Sequence, residues 1–104
     1  MTEEQAKTVL SQMGGIGKLI AMVGAKDFLR GTNNDTGLPY LAFKFKGAKH
    51  VNYIRITLEP TDVYTVFFGN VKGLTFRPGC EFVGVHADRL IPTFEQHTGL
   101  YLRF

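Results

Sequence analysis

Apolar and polar residues alternate through the middle of the chain, and this alternation predicts β-strands. Leu41, Phe43 and Phe45 point to one side of a first run, and Ile54, Ile56 and Leu58 do the same in a second run. Such spacing is typical of strands that have one buried face. The residues predicted on the opposite face of this pair are Tyr40, Ala42, Lys44, Lys46, Val51, Tyr53, Arg55 and Thr57.

The segments that follow predict further strands of the same antiparallel sheet. Residues 46–50 permit a tight hairpin, whose simplest register sets Lys44 opposite Tyr53. Residues 63–68 are apolar on both faces, which predicts an inner strand covered on both sides. The remaining predicted segments are a turn at residues 70–73, a short strand at 74–77, a turn at Pro78-Gly79 and a short strand at 81–85.

Helical spacing marks both ends of the chain. Thr2 begins a capping box ahead of an apolar stripe, which predicts a helix over residues 3–13. The apolar residues between positions 87 and 94 repeat the same spacing, with Asp88 as the N-cap and Gly99 as the stop. The sequence therefore predicts one helix before the sheet and one after it.

Two segments lie between the first helix and the alternating strands. Gly14-Gly15 ends the helix, and residues 16–24 form a continuous apolar run bounded by glycines. A run of this length favours a buried strand, with a second helix as the alternative. Residues 27–29 predict a short turn, and residues 30–37 have the composition of an exposed loop.

Together these elements predict one α+β domain, an antiparallel sheet of about four to five strands with an N-terminal and a C-terminal helix packed on one face. The 104 residues, 44% hydrophobic and 20% charged, suit a single globular core. The polar N-terminus does not resemble a secretory signal, and no run reaches the ~20 apolar residues of a membrane span. Because Cys80 is the only cysteine, no intramolecular disulfide can form. We therefore expect a cytoplasmic protein without a membrane partner.

Positive charge is concentrated on the predicted outward face. The net charge is only +3, yet residues 36–58 contain four lysines or arginines and no acidic residue. Rings stack on unpaired bases while cations meet phosphates, so a face with both predicts binding of single-stranded nucleic acid. The alternative is an ordinary solvated sheet face, which favours the same residue types. The predicted nucleic-acid-binding residues are Tyr40, Lys44, Lys46, Tyr53 and Arg55.

Motifs for catalysis or metal binding are not apparent. Residues 14–18 approach a phosphate-binding loop, but Leu19 stands where that motif requires Ser or Thr. The three histidines and Cys80 lack metal-ligand spacing, and Cys80 is expected to be a small buried residue. Ser11, the only serine, lies on the polar side of the first helix. We therefore expect no enzymatic activity, no metal and no cofactor.

Several short sequence segments, spread along the chain, resemble those of a known family. Residues 12–15 (QMGG) with 21–26 (AMVGAK), 52–58 (NYIRITL), and 93–94 (TF) with 98–101 (TGLY) together resemble a family of small, mostly uncharacterised proteins of tailed bacteriophages and prophages. The resemblance spans most of the chain and implies a phage origin and a role in the host cytoplasm. Combined with the basic, aromatic face, it predicts a small phage protein that binds single-stranded DNA or accompanies replication.

Aromatic richness supports an alternative function from a different class. Nine phenylalanines and four tyrosines, with an apolar tail at residues 100–104, exceed what one sheet and two helices readily cover. On this interpretation the chain is a non-enzymatic protein-binding module or an inhibitor of a host protein, and forms a homodimer or higher oligomer. Large rings that simply fill a small core would explain the same composition.

Overall fold

A computed structural model describes residues 1–102, which fold as helices at both ends of the chain around one antiparallel sheet. The elements, in chain order, are α1 (Glu3–Gln12), α2 (Ile16–Val23), β1 (Lys26–Thr32), β2 (Pro39–Lys44), β3 (Tyr53–Leu58), β4 (Tyr64–Lys72), β5 (Thr75–Val85), a 3-10 turn (Ala87–Arg89) and α3 (Leu90–Thr98). The predicted α+β class is therefore confirmed.

The five strands form a meander in which each strand pairs with its neighbours in sequence. Their spatial order is β1-β2-β3-β4-β5, and every pairing is antiparallel. Lys44 lies opposite Tyr53 and Ala42 opposite Arg55, which confirms the predicted register of the β2–β3 hairpin. The strands β1 and β5 form the two edges of the sheet, and β3 lies at its centre.

All three helices pack on one face of the sheet, called the inner face below. The predicted apolar faces of β2 and β3 are confirmed, since their residues are almost fully buried there, except Leu58, which is partly buried against the same core. Val51, expected on the other face, is buried in the same core, because it lies in the loop before β3, where strand alternation does not apply. The principal core residues are Leu41, Phe43, Ile54, Ile56, Val66 and Phe68 from the sheet, with Val9, Met13, Leu19, Leu90 and Phe94 from the helices.

The ends of the first and last helices follow their capping residues. Thr2 and Gln5 form the predicted capping box of α1, each side chain accepting from the other residue's backbone N–H. Gly99 ends α3 in the left-handed conformation, as predicted. Asp88 is not the N-cap of α3, since it lies in the 3-10 turn and Arg89 takes that position. Pro92 is then the third residue of α3, where a backbone N–H has no partner within the helix.

The apolar run after Gly15 is helix α2, so the prediction of a buried strand is wrong. Leu19 and Val23 face the core, whereas Ile16 and Ile20 are about half exposed. One face of this short helix is thus buried and the other is apolar but uncovered. Lys18 is the only charged residue in this run, and a single polar position is too few to reveal helical spacing, which is why the sequence favoured the wrong element.

Residues 26–32 form the edge strand β1, so the predicted turn at 27–29 and the first three residues of the predicted loop at 30–37 are wrong. The strand pairs with β2 through a bulge between Lys26 and Leu29, and most of its side chains are exposed. A polar edge strand lacks the alternation that marks a strand with one buried face. Only residues 33–37 form a turn, in which the Asn33 side chain accepts from the amides of Asp35 and Thr36.

The last strand is continuous, so the predicted turn at Pro78-Gly79 is also wrong. Strand β5 runs from Thr75 to Val85 and contains two irregularities in its pairing with β4. Pro78 lies opposite Gly69, and a proline is tolerated there because β5 is an edge strand. Cys80, on the same strand, is exposed, not buried as expected.

The chain after α3 returns to the core. Leu102 is fully buried and its amide donates to the Glu95 carboxylate at 2.9 Å, which confirms that the tail is tied down as far as it is described. Phe104 lies outside the described residues. Within residues 1–102, no helix is long and apolar enough to cross a membrane.

A candidate nucleic-acid interface on the sheet

The face of the sheet opposite the helices, called the outer face below, has no helix packed on it among residues 1–102. The predicted inner strand β4 does lie between β3 and β5, but its outer side is not covered as expected. By the strand register, the side chains of the outer face include Leu29, Tyr40, Ala42, Lys44, Tyr53, Arg55, Thr57, Thr65, Phe67, Val71, Phe76 and Glu81. Because no described helix covers this face, it is open to a ligand.

Three aromatic rings on adjacent strands form a cluster on the outer face. The ring centroids of Tyr53 and Phe76 are 5.6 Å apart, those of Tyr53 and Phe67 6.5 Å, and those of Phe67 and Phe76 6.0 Å. These separations are typical of interacting aromatic pairs. Phe76 is 47% exposed, whereas Tyr53 and Phe67 are more buried. We call Tyr53, Phe67 and Phe76 the ring cluster.

Glycines beneath two of the outer-face rings allow those rings to lie close against the sheet. A Cβ at Gly69 would lie 2.7 Å from Cζ of Phe76, and a Cβ at Gly31 would lie 2.8 Å from the hydroxyl of Tyr40. Any side chain at either position would push the ring away. A glycine inside a strand often marks such a close approach, and aromatic rings cover glycines in sheets in this way.

Arg55 lies at the centre of the outer face and contacts the ring cluster. Its guanidinium carbon is 4.9 Å from the centroid of Phe67, which is a cation–π contact. Burial raises the pKa of the Tyr53 hydroxyl, and the neighbouring Arg55 charge opposes that rise only in part. Tyr53 therefore stays neutral at physiological pH. The centre of this face carries a positive charge and no phenolate.

The two predicted lysines occupy different places. Lys44 lies on the outer face and its Nζ is 3.6 Å from Oδ2 of Asp27, a pair that is exposed enough to be weak. Lys46 lies beyond the end of β2, where its amide donates to the carbonyl of Val23 and its stem packs against Gly24. The structure therefore brings Tyr40, Lys44, Tyr53 and Arg55 onto one face and separates Lys46 from them.

Phe67 and Phe76 were not among the site residues predicted from the sequence. Phe67 lies opposite Arg55 in the register, so extending the alternation of β3 into β4 would have indicated its face. Phe76 could not be placed in this way, because the predicted turn at Pro78-Gly79 broke β5 into two pieces of unknown register. Glu81, opposite Phe67, is a carboxylate at the β5 edge of the face, as Asp27 is at the β1 edge.

A second feature is a basic cleft at the end of the sheet, on its inner side. Asn70 pairs with Arg77 and Lys72 with Thr75, and alternation places all four side chains opposite Phe76. The cleft has a volume of about 510 Å³, and no aspartate or glutamate is among its lining residues. The residues that line the cleft are Lys49, His50, Asn70, Lys72, Thr75 and Arg77.

Two asparagines fix the walls of the basic cleft. The Asn52 side chain donates to the Val71 carbonyl at 2.7 Å and accepts from the Val71 amide at 2.7 Å. The Asn70 side chain donates to the His50 carbonyl at 3.1 Å. These bonds attach the β2–β3 loop to β4, so the cations of both segments are held on one side. Asn52 is a positioning residue, which sequence analysis assigned to no role.

Metal chemistry has no support in the described part of the chain, where no group of three or more histidine, cysteine or acidic side chains is close enough to hold an ion. The loop at residues 14–18 does lead into a helix, contrary to the predicted strand, yet Leu19 still replaces the Ser or Thr of a phosphate-binding loop.

Comparison with known proteins gives no match to a protein-family model, to a curated protein or to a solved structure. The resemblance to small phage proteins therefore stays a prediction.

Proposed function

We propose that this protein is a non-enzymatic binder of single-stranded nucleic acid, and that the outer face of its sheet is the binding surface. The observation that carries this proposal is the ring cluster with Arg55 beside it, on a sheet face that no described helix covers. A sheet that presents aromatic rings and cations is one of the recurring surfaces that hold unpaired bases.

Each part of the outer face has a role in this proposal. The exposed side of Phe76 offers a surface for a base, and Tyr53 and Phe67 pack against its ring. Arg55 supplies a planar cation that lies against Phe67 and can meet a phosphate or stack on a base. Because Tyr53 is neutral, it does not repel the phosphate backbone.

Single strands suit this face better than a duplex does. Bases can stack on protein rings only when they are unpaired or turned out of a helix. Reading duplex DNA in its major groove requires a protruding helix or β-ribbon, whereas the outer-face rings over Gly31 and Gly69 lie against the sheet. We therefore expect little affinity for blunt duplex DNA of the same length.

The test is fluorescence anisotropy with a labelled oligothymidylate, using Phe76→Ala and a matched control. Stacking is worth about 1–3 kcal/mol per base, so Phe76→Ala should weaken binding about 5- to 150-fold. Leu74→Ala removes another exposed apolar side chain from the same hairpin and should leave affinity unchanged. Tyr53→Phe, which keeps the ring, should also bind normally.

Two results would contradict the proposal. One is the absence of any binding by the wild-type protein at low salt, where electrostatic attraction is greatest. The other is equal affinity of Phe76→Ala and Leu74→Ala, which would mean that the outer face is an ordinary solvated surface.

The biological setting is part of the same proposal and rests on the phage resemblance alone. A protein of this kind would act in the host cytoplasm on single-stranded DNA exposed during replication of a phage genome. Capture from infected cells, followed by sequencing of the bound nucleic acid, tests it. Recovery of host RNA in place of phage DNA would contradict this setting and leave the binding activity standing.

A second candidate function is self-association or binding of another protein, and helix α2 favours it. Ile16 is 48% exposed and Ile20 51%, and the two lie one helical turn apart, so they form an exposed apolar strip along one flank of this helix. Sedimentation velocity tests it: a dimer that becomes monomeric in Ile16→Ser/Ile20→Ser supports an α2 interface. A wild-type monomer at high concentration would exclude the predicted oligomer.

A further inference from the structure

The basic cleft and the ring cluster lie on opposite sides of the same edge strand. Phe76 belongs to the outer face, and the next residue, Arg77, points into the cleft because successive side chains in a strand alternate. Strand β5 has a neighbour only on the β4 side. A ligand can therefore pass from the ring of Phe76 to the cleft around the free edge, with no described strand in its way.

The chemistry of the cleft suits phosphates. Lys49, Lys72 and Arg77 bring three cations to a cleft lined by no carboxylate, and Asn70 and Thr75 add neutral polar groups. Phosphate contacts in proteins come chiefly from lysine and arginine, with hydroxyl and amide side chains among the other donors. The hydrogen bonds of Asn52 to Val71 hold this arrangement before a ligand arrives.

We infer that the basic cleft binds backbone phosphates of the same nucleic-acid strand whose bases stack on the ring cluster, the strand bending around the free edge of β5. This inference rests on the proposed function and adds a second, sequence-independent contact to it. The outer face binds the first few nucleotides, and the cleft binds the phosphates of the nucleotides that follow. Affinity should therefore gain a strong salt dependence only when the oligonucleotide is long enough to reach both.

The experiment compares two charge-matched double variants on a short and a long oligothymidylate. Lys72→Gln/Arg77→Gln removes two cations from the cleft, and Lys7→Gln/Arg89→Gln removes two exposed cations from α1 and from the start of α3. The short probe has about 3 nucleotides, the number of bases that a sheet face typically stacks, and the long probe about 12. Anisotropy is measured over a range of salt concentrations.

The expected result follows from counterion release. Each phosphate contact to a single strand contributes about −0.7 to the slope of log K against log salt. Lys72→Gln/Arg77→Gln should therefore make the slope for the long probe less negative by about 1.4, whereas Lys7→Gln/Arg89→Gln should not change it. For the short probe, both variants should match the wild type.

The outcomes separate this inference from the proposed function. If the wild-type protein binds and Phe76→Ala weakens binding, but the cleft variant keeps the wild-type slope on the long probe, the inference is wrong and the proposed function stands. If inorganic phosphate shifts the Lys72 and Arg77 amide resonances while that slope is unchanged, the cleft binds a free phosphate compound. That result also overturns the inference that the cleft binds backbone phosphates. If the wild type binds neither probe, both proposals fail together.

Asn52 gives a second test that does not remove a charge. Asn52→Ala breaks both hydrogen bonds to Val71, so the cleft walls should separate while every cation remains. We expect a weaker salt slope on the long probe with no change on the short one. Asn33→Ala, an asparagine in the β1–β2 turn, is the control and should behave as wild type with both probes.

Discussion

Replacing Gly79 tests whether β5 is the continuous strand described above. A Cβ at this position would lie 2.7 Å from the carbonyl oxygen of Phe68 and 3.3 Å from its carbonyl carbon. These are backbone atoms of the neighbouring strand β4, so they cannot rotate aside as the end of a side chain can. Gly79→Ala must therefore shift β5 away from β4 or distort both strands.

The magnitude follows from the contact. Forcing extra atoms into a packed position typically costs about 1–3 kcal/mol, and Gly79 faces backbone, so we expect a loss of about 2 kcal/mol or more. For a domain of this size that corresponds to a fall in Tm of about 8–16 °C. A turn at Pro78-Gly79, as the sequence alone predicts, would leave the new methyl group exposed and change stability little.

Gly17→Ala is the matched control. Gly17 lies in helix α2, and no atom lies within 4 Å of the position its Cβ would take. Alanine should stabilise that helix by about 0.5–1 kcal/mol, because glycine loses more backbone entropy on folding. The same chemical change should therefore move stability in opposite directions at Gly17 and Gly79.

Urea unfolding followed by far-ultraviolet circular dichroism gives both free energies, with equal m-values as the condition for comparing them. The reasoning is refuted if Gly79→Ala unfolds within about 0.5 kcal/mol of the wild type, the range typical of surface substitutions. Strand β5 would then be broken or held away from β4, and Phe76 would lose its assigned position over Gly69.

Three further predictions concern stability. Thr2→Ala removes the capping box of α1 and should lower the free energy of unfolding by about 1 kcal/mol in urea titrations. Tyr64→Phe deletes the 2.8 Å hydrogen bond to Gln12 and should cost about 1 kcal/mol by the same measurement. Burial between rings lowers the pKa of His97, so the unfolded chain takes up a proton first as the pH falls. The free energy of unfolding should therefore decrease as the pH is lowered through the ordinary histidine range. His97→Phe should remove that drop in urea midpoints between about pH 7.5 and 5.5, whereas His50→Gln should retain it.

The centre of the sheet was predictable because its residues alternate. In β2 and β3 each apolar residue is followed by a polar or small one, so burial of Phe43 and Ile54 fixes the direction of every neighbour. That alternation gave the face of Tyr40, Lys44, Tyr53 and Arg55 and the register between the strands. A slip of one residue would have moved the core residues into solvent.

The edges of the sheet were not predictable, because edge strands are under weaker constraints. Most side chains of β1 are exposed, and those of β5 are exposed until Val85, so neither strand needs an alternating pattern. Pro78 and Gly79 normally indicate a turn, yet an edge strand tolerates both at a bulge. Since Phe76 and Arg77 lie on β5, neither the most exposed ring of the ring cluster nor one wall of the cleft could be predicted.

The meander order of the sheet has a consequence for how the protein reaches its folded state. Every strand pairing joins sequence neighbours, so relative contact order is kept low for a protein with this much sheet. Only short loops must close before each pairing is formed, and the entropic barrier to folding is correspondingly small. Strands β1 and β5 are paired on one side only and most of their side chains are exposed, so they should be the first strands to lose protection from hydrogen exchange.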